Sequence, residues 1–171
     1  AVKPLVFAAA VEEEGYDRDT RVIDEPVVYT VNGREWQPQN YDQRYRGVIP
    51  LWQALAESVN TVPVRIVHEM GIDRVFNFLT RMGLPLVGEG RRNDRALSPL
   101  ALGGLTQGVT PLELAAAYTP LAGAGIRSEP TAVLRVEDSS GRELRRGRLR
   151  RQQVIQPRTA AVVTGMMQEV I

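Results

Sequence analysis

The sequence predicts a mainly α chain with small β-hairpins. Three observations carry this. Proline or threonine opens, and glycine closes, one helix-patterned segment after another. The β signals are short and cluster around two turn sequences, Asn32-Gly33 and Ser139-Ser140-Gly141. No internal repeat, low-complexity tract or linker divides the 171 residues, a length that suits one domain or a large piece of one.

Pro4 suits the first turn of a helix, where a missing N–H is harmless, and Leu5 to Glu14 is rich in helix formers before Gly15. Val22 to Trp36 reads as strand, with Asn32-Gly33 as a hairpin signal and Pro26 limiting any strand there to a short or edge position. Gln37 to Gly47 is a polar, tyrosine-bearing loop. Pro50 opens a helix through Leu51, Trp52, Leu55 and Ala56. Thr61 is placed to cap a second, with Val64, Ile66, Val67 and Met70 as its apolar set and Gly71 as its stop. Asp73 is placed to cap a third, with Val75, Phe76, Phe78 and Leu79 apolar, ending near Gly83. Leu84 to Leu97 is a loop rich in glycine and arginine.

Thr110-Pro111-Leu112-Glu113 is a capping box with proline at the first helical position, launching a helix to about Leu121. Ala132 to Val136 and Arg142 to Ile155 are strand-like and flank the turn at Ser139-Ser140-Gly141. Pro157 starts a last helix, Arg158 to Ile171.

Composition removes several chemistries. There is no cysteine, so disulfides, thiol catalysis and cysteine metal sites are excluded. Basic and acidic residues nearly cancel, 21 against 20, so the total implies no strongly basic binding face. No segment approaches the roughly 18–20 apolar residues of a membrane span, and no signal-peptide pattern is present. Both ends fall inside helical patterns, as in a chain cut from a longer protein. The cations are arginines with one exception, Lys3. Arginine cannot deprotonate to act as a base; lysine can.

Between the helices at Pro50 and Thr61 lies Ser58-Val59-Asn60. A hydroxyl and a carboxamide two residues apart, together with a lysine able to lose its proton, are parts of a serine acyl-transfer site. On local grounds alone, Ser58 or Asn60 capping the following helix is the simpler reading. The wider context resembles a known family. Asn40-Tyr41-Asp42, Tyr45, Gly47, Leu51, Ala54-Leu55, Ser58-Val59-Asn60 and Gly71 resemble the middle of a penicillin-binding transpeptidase domain, most similar to class A, the bifunctional peptidoglycan synthases. Ser98 to Gly104, Gly108 to Ala115, and Ala124-Gly125-Ile126 before Pro130-Thr131 resemble the same family in the same order.

That resemblance implies a β-lactamase/transpeptidase-like α+β fold, of which residues 1–171 are a partial transpeptidase domain, mostly its helical portion. It implies S-x-x-K, S-x-N and K-T-G motifs, the serine of the first being the nucleophile. Lys3 falls on the lysine of S-x-x-K, which puts the serine just before Ala1; the K-T-G strand is expected after Ile171. Lys3 is then the base, Ser58 a proton relay, and Asn60 the group that orients Lys3 and hydrogen-bonds the substrate peptide. The expected partners are the D-Ala-D-Ala end of a peptidoglycan stem peptide and β-lactams, with no metal or organic cofactor and no nucleic acid. The parent is expected to be membrane-anchored and to act outside the cytoplasm. The fragment alone is expected to be inactive, and its helices to expose an apolar face that a second copy or a companion fragment would cover.

Other features have plainer readings. His68 has no second histidine with which to build a zinc site or a Ser-His pair, and reads as an ordinary helix residue. The glycines at 103, 104, 108, 123 and 125 read as turns and helix stops. Arg142, Arg145, Arg146, Arg148, Arg150 and Arg151 form a solvated hairpin face without interleaved aromatics. Tyr41 and Tyr45 can line a groove beside the Ser58 corner, and Trp52 reads as packing. The rival functions are a non-catalytic module of the same fold and an arginine-mediated binder of anionic surfaces.

Overall fold

Residues Lys3–Glu14 form the first helix, α1, and it is the axis of the molecule. From Leu5 to Val11 every side chain is buried, Leu5 through Ala10 completely. A helix apolar on all sides must be enclosed on all sides. Here α2 (Leu51–Ala56), α3 (Thr61–Met70), α4 (Ile72–Met82), α5 (Leu97–Leu102) and α7 (Pro157–Gln168) pack around it. Gly15 ends α1 with φ +70°, as the sequence predicts. The computed structural model describes residues 1–31 and 33–170.

The helices and strands make up 41% and 16% of the chain, in an α+β arrangement with small sheets. The mainly α expectation therefore holds only in part. Eight short strands form four two-stranded antiparallel sheets among the described residues. β1 (Arg21–Asp24) pairs with β4 (Gly47–Pro50), Asp24 opposite Gly47. β2 (Tyr29–Val31) pairs with β3 (Arg34–Trp36), flanking the predicted turn; Asn32 of that turn lies outside the described residues, as does Ile171 at the end of the predicted last helix. β5 (Ile126–Ser128) pairs with β8 (Arg151–Gln153), and β6 (Arg135–Glu137) with β7 (Glu143–Arg146). The long strand expected from Arg142 to Ile155 is broken at Gly147. There a Cβ would lie 1.9 Å from the Val133 carbonyl oxygen, so only glycine allows the chains to approach.

β4, β5 and α5 escape the sequence reading because they run for only 4, 3 and 6 residues, too short to show a period. Two predicted caps are corrected. Thr61 is the first residue of α3, and its hydroxyl donates to Asp24 Oδ1 at 2.6 Å. Asp73 lies within the first turn of α4 and pairs with Arg95, while Gly71 occupies the cap position. The capping box is as expected: α6 (Pro111–Ala122) starts with Thr110 Oγ1 accepting from Glu113 N, and Glu113 Oε2 accepting from Thr110 N at 2.8 Å.

Packing between elements fixes where α1 starts. Glu12, near its C-terminal end, accepts from Gln156 N at 3.0 Å and Thr159 Oγ1 at 2.5 Å, so a carboxylate from one helix serves the N-terminus of α7. At the other end Tyr118 donates to the Ala1 carbonyl at 2.5 Å, and a Cβ on Gly103 (φ +87°) would lie 3.0 Å from Val2 Cγ2. Lys3 is thus held from both sides of its helix.

Candidate active site

The corner at Ser58-Val59-Asn60 is a helix ending in which a hydroxyl residue stands where glycine is usual. Ser58 N donates to Leu55 O and Val59 N donates to Ala54 O, both at 3.0 Å, closing α2 with a Schellman pair. Ser58 takes the left-handed position, φ +53°, which strains a side-chain-bearing residue by about 1–2 kcal/mol. Val59, 1% exposed, drops into the core, so its neighbours on either side face outward into a common cleft. The alternation is what makes the two polar residues act together.

Lys3 comes to them from the first turn of α1. Its Nζ donates to Asn60 Oδ1 at 2.6 Å, to Ser58 Oγ at 3.0 Å and to the Ser58 carbonyl at 2.5 Å. An ammonium has three protons, and here three oxygens receive them. Burial lowers the Lys3 pKa from 10.5 to about 8. Losing a proton would release one of these contacts and leave a lone pair facing the cleft, which is what a general base requires. Asn60 spends its amide differently from a helix cap: Nδ2 donates to the Gln39 carbonyl at 2.7 Å, and its backbone N–H donates to Asn40 Oδ1 at 2.8 Å. The local capping reading of Ser58 and Asn60 is therefore overturned, since neither side chain caps α3.

The cleft has a volume of about 500 Å³ and is walled by Lys3, Asn40, Tyr41, Asp42, Arg46 and Glu57 besides the corner. Arg46 reaches Asp42 at 2.9 Å and is also paired with Glu57. Hydrogen bonding to Arg46, first of its causes, lowers the Glu57 pKa; for Asp42 the main cause of the same lowering is the backbone N–H of Arg44. Both carboxylates thus stay ionised and occupied. Tyr41 projects fully into solvent at the rim. A somewhat larger depression, about 600 Å³, lies elsewhere and includes His68, Gly71, Asp73 and Arg95. Its charges are spent: Arg95 pairs with Asp73 and lies over the Phe76 ring, and Arg74 pairs with Glu13 and Glu14. His68 packs edge-on against Tyr29 at 4.9 Å.

The three residues singled out in the sequence, Lys3, Ser58 and Asn60, are thus brought within hydrogen-bond range across 55 and 57 positions. The sequence reading missed what supports them. Asp24, fully buried, and Asn40, 4% exposed, lie behind the corner. Asn40 was visible only as part of the family-like run, and Asp24 only as a carboxylate in a strand whose inward row, Val22 then Asp24, emerges once β1 is paired. Among the described residues no group of three or more His, Cys, Asp or Glu side chains is placed to hold a metal ion.

A family model described as the penicillin binding protein transpeptidase domain matches residues 1–171. The chain belongs to the penicillin-binding protein transpeptidase family. Among its curated relatives are penicillin-binding protein 1A of Pseudomonas aeruginosa, 33% identical over 144 residues, with 83% of this chain and 16% of that protein covered. Penicillin-binding protein 1B of Vibrio cholerae is 31% identical over 172 residues, with 98% and 21% covered. Penicillin-binding protein 1F of Bacillus subtilis is 30% identical over 170 residues, with 99% and 22% covered. The class A likeness read from the sequence is thus found again in these relatives. The chain spans about a fifth of their length. Its fold superposes on penicillin-binding protein 1A of Haemophilus influenzae with a TM-score of 0.85 at 25% identity, covering 99% of this chain and 29% of that one. Penicillin-binding protein A of M. tuberculosis, solved as an imipenem acyl-enzyme complex, shares the fold at a TM-score of 0.83 and 20% identity, covering 99% and 42%.

Proposed function

We propose that this chain is the part of a D,D-transpeptidase domain that supplies the base and the proton relay of a serine acyl-transfer reaction on peptidoglycan stem peptides. The observation that carries this reading is the Lys3 amine seated on Ser58 Oγ and Asn60 Oδ1. In this reading the nucleophile is a serine three positions before Lys3, in the longer protein, on the same face of the helix. Neutral Lys3 takes the serine proton as the serine oxygen attacks the carbonyl carbon of the penultimate D-alanine. The C–N bond to the terminal D-alanine breaks, Ser58 passes a proton to the departing amine and takes the proton held by Lys3 in its place, and an ester remains on the serine. An amine of a neighbouring stem peptide then attacks that ester, forms the cross-link and returns the proton to the serine oxygen.

The Asn60 carboxamide holds Lys3 through Oδ1, and with one Nδ2 proton given to Gln39 O it keeps a second for the substrate backbone. β-Lactams enter the same cleft as mimics of the D-Ala-D-Ala end. No cofactor takes part in these steps. The reading places the site outside the cytoplasm in a membrane-anchored parent; no helix of the described residues is long and apolar enough to cross a membrane. As a fragment of a domain, the chain exposes apolar side chains such as Leu112 and Val48, 65% and 61% accessible, for the remainder of the parent, a companion fragment or a second copy to cover. The arginine-binder reading has less support. Arg142, Arg146 and Arg150 are each paired with a neighbouring carboxylate, Asp138, Glu143 and Glu129.

The test is to express the protein with its natural flanking sequence, treat it with a fluorescent penicillin and map the label. The expected result is one covalent adduct on the serine just before Ala1, forming faster as pH rises toward and through about 8, where Lys3 loses its proton. The 171-residue chain alone should take up none. A complete, folded domain that stays unlabelled would favour the non-catalytic module, and an adduct on Ser58 would remove Lys3 from the role of base to an upstream serine.

A further inference from the structure

The Asp24 carboxylate, with no accessible surface, sits at the inner end of β1. A charge there is expensive unless donors surround it. The donors that surround it come from the segments that build the corner. Asn40 Nδ2 lies 2.8 and 3.1 Å from its two oxygens, Thr61 Oγ1 donates at 2.6 Å, the Arg46 backbone N–H donates at 3.0 Å, and the Arg46 guanidinium stands 3.5 Å away. The Asn40 amide is oriented as a result. Its nitrogen faces Asp24 and the Arg44 carbonyl (2.8 Å), so its oxygen can only face the Asn60 N–H. Gln39, next to Asn40, receives the Asn60 side-chain amide. The segment at 39–40 thereby fixes both the backbone and the side chain of Asn60, while Asp24 also holds Thr61 directly. With Asn60 held in this way, its Oδ1 points at Lys3 and accepts from Nζ.

We infer that Asp24 and Asn40 are positioning residues of the acyl-transfer site: the buried carboxylate orients the Asn40 amide, and Asn40 locks the Ser58–Asn60 corner beneath Lys3. The inference rests on the transpeptidase reading for its chemistry, but its geometry is independent of it. Asp24→Asn keeps the shape and replaces an acceptor by a donor opposite the Asn40 NH2. The other charged groups sharing the cleft are Asp42, Arg46 and Glu57; Arg46 loses its pair with Asp24 in this variant but keeps those with Asp42 and Glu57.

Two measurements test it. In the protein with its flanking sequence, Asp24→Asn should slow acylation by fluorescent penicillin at least tenfold. The exchange Asp24→Asn with Asn40→Asp, which rebuilds an amide–carboxylate pair and an acceptor for Asn60 N–H, should recover much of the rate. Asn40→Ala, which cuts the link but leaves Asp24 with Thr61 and Arg46, should fall as far as Asp24→Asn and keeps the test open where the latter fails to fold. In the 171-residue chain labelled with 15N-lysine, the single lysine gives a single Nζ resonance. Its titration midpoint should lie well below that of a free lysine and climb toward it in Asp24→Asn and Asn40→Ala. Acylation within twofold of wild type together with an unmoved Lys3 midpoint, in folded variants by thermal melting, overturns the inference. If the wild-type protein takes up no penicillin, the functional reading falls, and the Lys3 midpoint alone decides whether Asp24 positions the corner.

Discussion

At Ser58 two demands on one residue conflict. The Schellman ending of α2 asks for a residue comfortable at φ +53°, and the cleft asks for a hydroxyl within 3.0 Å of Lys3. The hydroxyl is present and the backbone is strained. Replacing the side chain separates the two demands. Ser58→Gly relieves the strain, keeps the carbonyl that Lys3 uses and deletes only the hydroxyl. The lost strain of about 1–2 kcal/mol is partly offset by the greater freedom of glycine in the unfolded chain, about 0.4–1 kcal/mol. Ser58→Gly should therefore be at least as stable as wild type in urea titrations, yet acylate or turn over slowly in the longer protein. A variant both less stable and fully active would contradict the account of the corner. The single lysine shows the same tension: three acceptors hold its ammonium, while burial pulls its pKa down to about 8.

Among the elements, helices away from the candidate site are fixed by contacts of their own, so stability and activity should separate. The capping box of α6 is the clearest case. Thr110 and Glu113 satisfy each other's backbone N–H groups in an exposed position, and hydrogen bonding to Thr110 lowers the Glu113 pKa. Thr110→Ala should lower unfolding stability by about 1 kcal/mol and leave the acylation rate of the longer protein within twofold, as read by denaturant melts and penicillin labelling. The same box was legible in the sequence because its four residues are consecutive. Thr61 and Asp73 looked like caps for the same local reason, and each was drawn off by a partner distant in sequence, Asp24 for one and Arg95 for the other. Local patterns hold where no long-range partner competes for the side chain.

Across the whole molecule, ionisation sets a stability profile with three limbs. Hydrogen bonds from Arg81, Arg46 and Thr110 lead the causes that lower the pKa values of Glu13, Glu57 and Glu113, so stability present at neutral pH is lost as pH falls through the carboxylate range. Lys3 acts at the other end. Between about 8 and 10.5 the unfolded chain holds a proton on this amine that the folded chain has lost, so stability rises with pH through that window. Tyr118, raised by burial from 10.0 to about 12, then reverses the trend. The unfolded phenol ionises first, and stability falls above about 10, with Tyr16 and Tyr29 adding to it through their own burial. Chemical denaturation from pH 4 to 11 should show a shoulder or maximum near 9–10 (roughly the crossing of these windows). A profile that declines steadily above pH 8 would mean that Lys3 is solvated and not seated on Ser58 and Asn60.

The sequence by itself determined the helical segments with strong punctuation and the family, and it singled out the three polar residues of the candidate site. Each of these depends on residue type at short spacing, which local sterics, capping and colinear likeness make readable. Only the tertiary structure decided that Lys3 meets Ser58 and Asn60, because that meeting is made by the burial of α1 among five other helices. It also decided that Asp24 and Asn40 stand behind the corner. Their role comes from a strand register, Asp24 opposite Gly47, and from a loop folded over it. No local propensity encodes a hydrogen bond that spans 16 residues in one step and 20 in the next. Long-range pairing creates such contacts only when the core closes, and there the physics of burial, not of sequence neighbours, chooses the partners.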